Sequence, residues 1–218
     1  MKNTELILSS LKKLIPENKD DYFVPGIFSG KPGKRLQVNP AKYFADRIQE
    51  LFDLGATLGS PVAKPHLNSA VIYNVFLRYS LAYSESADAN LSEPTPSGFR
   101  RTGTFLKLIA ALPFLHSLGI NTIYLLPITS TGKTNRKGNL GSPYSIRNPY
   151  KLDSLLAEPA LGLSAETEFK AFMECAHSIG IRVILEFVFR TASLDSDWAT
   201  EHPDWFYWIR NEVEDRET

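Results

Sequence analysis

The sequence has one cysteine, Cys175, so it has no internal disulfide framework and cannot build a multi-cysteine zinc site. Cys175 itself reads as a small buried or half-buried helix residue. Net charge is also missing: Lys and Arg total 24 and Asp and Glu total 24, leaving no electrostatic footprint for nucleic acid or an anionic membrane. A neutral ligand suits such a surface better. No run approaches the roughly 18 consecutive apolar residues of a bilayer span, and MKNTELILSSLKKLIP lacks the apolar h-region of a signal peptide. The expectation is therefore a cytoplasmic protein. What is present is 218 residues with 43% hydrophobic composition, enough for a sizeable core.

The most informative stretch is RVILEFVFRTASLDSDWATEHPDWFYW, residues 182–208. Its apolar, β-branched opening after Gly180 predicts a buried strand, and Glu186 is the one residue core packing would not choose. Alternation groups Ile184, Glu186, Val188 and Arg190 on one face and Val183, Leu185, Phe187 and Phe189 on the other. In a parallel sheet the second face goes to covering helices. The first then points toward a barrel interior or a site at the strand's C-terminal end.

Upstream, Leu6, Ile7, Leu11 and Leu14 form a helical stripe stopped by Pro16. Residues 26–40 read as turn, and Asn39-Pro40 opens a second helix with Tyr43, Phe44, Ile48, Leu51 and Phe52 on its apolar side. Residues 1–66 are thus a helical preface, and 67–218 the main domain. Val71–Tyr79 and Thr122–Pro127 read as strands, and Thr104–Gly119 as a helix that Pro113 kinks or restarts. Another helix runs from a Ser164 cap to Gly180. His116-Ser117-Leu118-Gly119-Ile120 and His177-Ser178-Ile179-Gly180-Ile181 are nearly one word, each ending a helix and feeding a strand, as repeated βα units require. The histidines read as cations or donors at helix C-termini.

The connection from Ile128 to Leu163 shows no obvious element and is long enough to suggest function. Its Gly132-Lys133-Thr134 is not a P-loop: Pro127 stands where a glycine is required and no helix follows. Lys133, Arg136 and Lys137 offer charge-assisted hydrogen bonds, although a solvated basic loop is the simpler reading. Tyr144, Tyr150 and Asp153 there, and the acids and aromatics after Arg190, mix stacking faces with hydroxyl-binding groups as sugar sites do. Asp195, Asp197 and His202 match no zinc or calcium ligand spacing, and no metal or cofactor is expected.

The succession VIYNVFLRYS, GTFLKLIAALPFLHSLGINTIYLLPI, RKGN, GSPYSIRNPYKLD, GIRVILEFVFRT and SDWATEHPDWFYW resembles the front of the catalytic barrel in the α-amylase superfamily, above all its maltosyltransferases. The GIF and VNP stretches before residue 45 resemble the N-terminal sequence of the same branch. The resemblance implies an α/β fold, about three strands of an incomplete (β/α)8 barrel, and an α-1,4-glucan or malto-oligosaccharide substrate. It implies retaining transfer of maltosyl units, with an amylase-type hydrolase or a non-catalytic glucan-binding relic as alternatives. Tyr144 matches the family's sugar-stacking tyrosine, and Glu186 stands where the family's first signature has aspartate, moving the carboxylate by more than about 1 Å. Arg190 and Thr191 fall where amylases usually have Asn and His. Substrate-binding residues are thus expected at Tyr144, Glu186, Arg190, Lys137 and Asp153. The nucleophile and acid/base are expected beyond Thr218, so the chain alone is expected to be inactive.

Overall fold

The computed structural model describes residues 2–59, 67–83 and 90–208. Two compact units result, Met1–Ile128 with Leu152–Phe187, and Thr129–Lys151 with Val188–Thr218. Among the described residues no helix is long and apolar enough to cross a membrane.

The first unit begins with α1 (Lys2–Leu14), whose Ile7 and Leu11 are buried while Leu6, expected on the same stripe, is 44% exposed. The cap of α1 comes from elsewhere in the chain. The Glu174 carboxylate accepts the backbone N–H and side-chain amide of Asn3 and the N–H and hydroxyl of Thr4 at 2.7–3.2 Å. Burial raises the pKa of Glu174, but these four bonds outweigh it and bring the carboxyl down to about 2.

Residues 26–40, expected as turn, contain half of a hairpin: β1 (Tyr22–Pro25) pairs antiparallel with β2 (Arg35–Val38), Tyr22 opposite Val38. Four-residue strands with only Tyr22 and Val24 buried are too short to show periodicity. The helix α2 (Pro40–Leu58) starts as expected, the Asn39 side chain accepting the Lys42 N–H at 3.0 Å. Its Phe44, Ile48 and Leu51 are buried, each such side chain contributing about 1.5–3 kcal/mol.

A parallel sheet in the order β3 (Ile72–Val75), β4 (Thr122–Leu125), β7 (Arg182–Leu185) carries α4 (Phe105–Ser117) and α5 (Ala165–Ser178) as its connecting helices. The helix α4 continues through Pro113 as one element. The first strand is shorter than expected: after Val75 the chain turns into α3 (Leu77–Ser80), burying Leu77 and Arg78. The near-repeated word at the ends of α4 and α5 is a helix stop. Gly119 and Gly180 have φ of 80° and 77°, and the next residues, Ile120 and Ile181, donate back to Leu115 O and Ala176 O at 3.2 and 2.9 Å. The serine hydroxyls repeat too, Ser117 donating to Phe114 O and Ser178 to Cys175 O. Cys175 is fully buried, and burial pushes its thiol up to about 12.

Beneath the start of α4 lies a buried ionic group. Lys107 donates its three N–H bonds to Arg100 O, Arg101 O and Thr102 O at 2.6, 3.2 and 2.8 Å, with its ammonium 4.1 Å from the Tyr83 ring centre. Burial pulls its pKa down to about 7, against the opposing charge of Glu158. Glu158, itself raised by burial, accepts the Arg100 N–H and the Thr104 hydroxyl, each at 2.6 Å. Glu168 accepts the Glu158 N–H at 2.8 Å, and burial, followed by the Glu158 charge, holds its carboxyl well above the usual range.

That last shift predicts a pH-dependent effect. Where the folded pKa exceeds the unfolded one, the native state binds more protons, and stability falls as pH rises from the unfolded value toward the folded one. Glu168→Gln does not titrate, so its melting temperature is expected to match wild type near pH 4.5 and to exceed it increasingly as the pH rises above that. A difference between the two that stays constant across this range would contradict a protonated Glu168.

Candidate functional site

The C-terminal ends of the parallel strands carry Glu186. Register places Asn74, Tyr124 and Ile184 side by side, with Glu186 two residues on, while Val75, Ile123, Leu125, Val183 and Leu185 pack toward the helices. The Glu186 N–H donates to Leu125 O at 3.0 Å, and the Tyr124 hydroxyl hydrogen-bonds its carboxylate. Desolvation first, then the Glu186 charge and this bond, raise the Tyr124 phenol. Glu186 is thus half-buried on the mixed face, as the alternation predicts.

The alternation does not extend as far as expected. The strand ends at Leu185, and Phe187 and Phe189, expected against the helices, are 54% and 94% exposed. The reason lies on the neighbouring strand. Along β4 the next ladder donor in this register would be Pro127, which has no N–H.

Asp153, expected to hold a sugar hydroxyl, is buried in the first unit. One carboxylate oxygen accepts the Leu155 N–H at 2.9 Å, and the other lies 3.8 Å from Arg78 Nη1. Its position is a structural one, fixing the segment after β3.

The second unit contains β5 (Thr129–Thr131) paired with β6 (Ile146–Leu152, its last residue in the first unit), in a connection expected to lack strands. It also contains α6 (Asp197–Glu201). Tyr144 is 41% exposed just before β6, Lys137 lies in an exposed turn, and Arg190 is exposed. Residues 191–197 run alongside 144–148 and are joined to them step by step. The Thr191 hydroxyl donates to Tyr144 O at 3.1 Å, Ser193 N–H to Ile146 O at 2.8 Å, and Ser196 hydroxyl to Arg147 O at 3.3 Å. Asp197 accepts the Asn148 amide at 2.6 Å and lies 3.5 Å from Arg147, and these partners lower its pKa.

Gly132-Lys133-Thr134 does bind an anion, and the anion is the chain's own. Asp195 accepts the Lys133 N–H at 2.9 Å; burial raises its pKa, but the polar surroundings, led by this bond, bring it below the usual carboxylate range. A Cβ on Gly132 would run into Ser193 Cβ and come within 2.7 Å of Asp195 Oδ1, so this approach requires glycine. His202 stacks on Trp205 with centroids 4.0 Å apart, and among the described residues no group of three His, Cys, Asp or Glu is placed to hold a metal. The Asp195 and Thr191 contacts escaped the sequence because their partners lie far away in the chain.

The sequence pattern described as Alpha amylase, catalytic domain, matches residues 79–217. The chain belongs to the α-amylase family. Its β3–β4–β7 sheet with α4 and α5 is the opening part of that family's (β/α)8 barrel, with no closed barrel among the described residues. Among proteins of this family, it is 28% identical, over 92% of its length, to an α-1,4-glucan:maltose-1-phosphate maltosyltransferase of Arcanobacterium haemolyticum, covering 27% of that protein. It is 30% identical to the Mycolicibacterium smegmatis protein of the same name, over 73% of this chain and 22% of the relative. An α-amylase structure from Lactobacillus plantarum is 35% identical, covering 65% of this chain and 28% of that one, with a TM-score of 0.50. The chain spans about a fifth of the length of the curated relatives it matches.

Proposed function

We propose that this α-amylase-family chain is the front of an enzyme acting on α-1,4-glucans by retaining transfer of maltosyl units. In this reading residues 1–66 lead into residues 67–218 as the first part of the catalytic barrel. The observation that carries it is the match of 92% of the chain to a protein named as a maltosyltransferase. In such a reaction one carboxylate forms a covalent glycosyl-enzyme, a second protonates the leaving oxygen, and an acceptor sugar takes the place of water. Neither carboxylate is assigned to this chain. Its contribution is binding: in the second unit Tyr144 offers a ring face to a sugar and Arg190 and Lys137 offer hydroxyl partners, and in the first unit Glu186 offers a hydroxyl partner while Asp153 supports from within the fold. A hydrolase is the second reading, favoured by the likeness to the Lactobacillus plantarum α-amylase.

Maltotetraose separates these readings. The 218-residue chain is expected to bind it and leave it intact. Joined to the remaining barrel strands, the same site should redistribute chain lengths without a net rise in reducing ends. Net reducing-end release would favour the hydrolase. Turnover by the 218-residue chain that Glu186→Gln abolishes would overturn the assignment of the catalytic pair elsewhere.

A further inference from the structure

The second unit supplies Tyr144 with a support of its own. The ring is 41% exposed, yet the peptide that carries it is held on several sides. Its N–H donates to the Ser142 hydroxyl at 3.2 Å, the following carbonyl, of Ser145, accepts the Gly132 N–H at 2.9 Å, and that of Ile146 accepts the Ser193 N–H at 2.8 Å. The Tyr144 carbonyl itself receives a side chain, the Thr191 hydroxyl, at 3.1 Å. Thr191 is in turn set by its neighbours, since Ser193 is bonded to Ile146 and Asp195 closes the Lys133 turn.

We propose that Thr191 is a positioning residue for Tyr144: its hydroxyl, on the segment that also bears Arg190, fixes the peptide from which the tyrosine ring projects. The inference rests on the reading of Tyr144 as a sugar-stacking residue. A ring that stacks on a sugar must be held within about 0.5 Å and 10–20° of the productive geometry, and every degree of freedom left loose is lost on binding. A β-branched residue is suited to this post because its χ1 is stiff, so the hydroxyl stays aimed at the carbonyl. The Gly132 approach serves the same end, since a side chain there would push Ser193 and Asp195 away and release the segment carrying Thr191.

The test compares Thr191→Val, which keeps the branched shape and removes the hydroxyl, with Thr191→Ser, which keeps the hydroxyl. In the unliganded chain, NMR signals of the Tyr144 ring and the 144–146 amides are expected to broaden or shift in Thr191→Val and to stay near wild type in Thr191→Ser. Unchanged Tyr144 signals in Thr191→Val overturn the inference without touching the functional reading. In titrations with maltotetraose, Thr191→Val is expected to weaken binding about three- to tenfold, the range for one hydrogen bond, with Thr191→Ser restoring it. Tyr144→Ala is the control. If it binds maltotetraose as wild type does, the reading of Tyr144 fails and the inference with it. If it loses binding while Thr191→Val does not, only the positioning role fails.

Discussion

Replacing Lys107 with methionine is expected to cost about 3–5 kcal/mol, the range for leaving a buried charge uncompensated. Methionine keeps the apolar stem of the side chain out to Cε but has no ammonium and no donor. Arg100 O, Arg101 O and Thr102 O would lose bonds of 2.6, 3.2 and 2.8 Å beneath a packed loop, and fully buried Glu158 would lose its compensating cation. Total stabilities of roughly 5–15 kcal/mol make this a large fraction. Urea unfolding should show a lower midpoint with the slope retained. Adding Glu158→Gln should recover part of the loss, because the stranded charge is then gone. A single variant within about 1 kcal/mol of wild type would mean that Lys107 fills space and its bonds carry little.

A second large effect is expected at Gly103, for a reason of space. A Cβ there would run into the Leu77 carbonyl oxygen, with the Leu77 carbon at 2.9 Å and Leu81 Cβ at 3.0 Å. Backbone cannot yield by changing rotamer. The helix α3 or the loop before α4 must move, breaking the 2.9 Å bond from Gly103 N–H to Arg78 O and disturbing the buried pair of Arg78 with Asp153. Gly103→Ala is therefore expected to cost about 3 kcal/mol, the upper end for overpacking. Gly119→Ala provides the contrast. Its φ is 80° but nothing lies within 4 Å of the added atom, so only the left-handed strain of about 1 kcal/mol applies. Equal losses at the two glycines by thermal unfolding would show that crowding against Leu77 is not the cause.

Several features were legible because they depend on residues close together in the chain. The caps at Asn39 and Ser164, the helix stops at Gly119 and Gly180, and the two βα units follow from local propensity and periodicity. Glu186 on the mixed face of its strand was legible in the same way. Lys107 left an equivalent sign, one charge inside FLKLIAAL, but nothing local names the three carbonyls and the glutamate it meets.

By itself, then, the amino-acid order determined the α/β pattern, the helix ends and the family resemblance, since each depends on short-range sterics and on motifs that survive as words. Tertiary structure alone decided where strands stop and which acids are structural. The strand before Glu186 ends where Pro127 on its neighbour withholds a donor, and Phe187 and Phe189 beyond it are exposed. Asp153 turns inward to Arg78, Glu174 caps a helix at the opposite end of the sequence, and Asp195 fills the anion-binding turn at Lys133. A carboxylate reads the same in sequence whether it faces a sugar or a backbone N–H, because the donor that claims it is chosen by the fold and can lie anywhere in the chain.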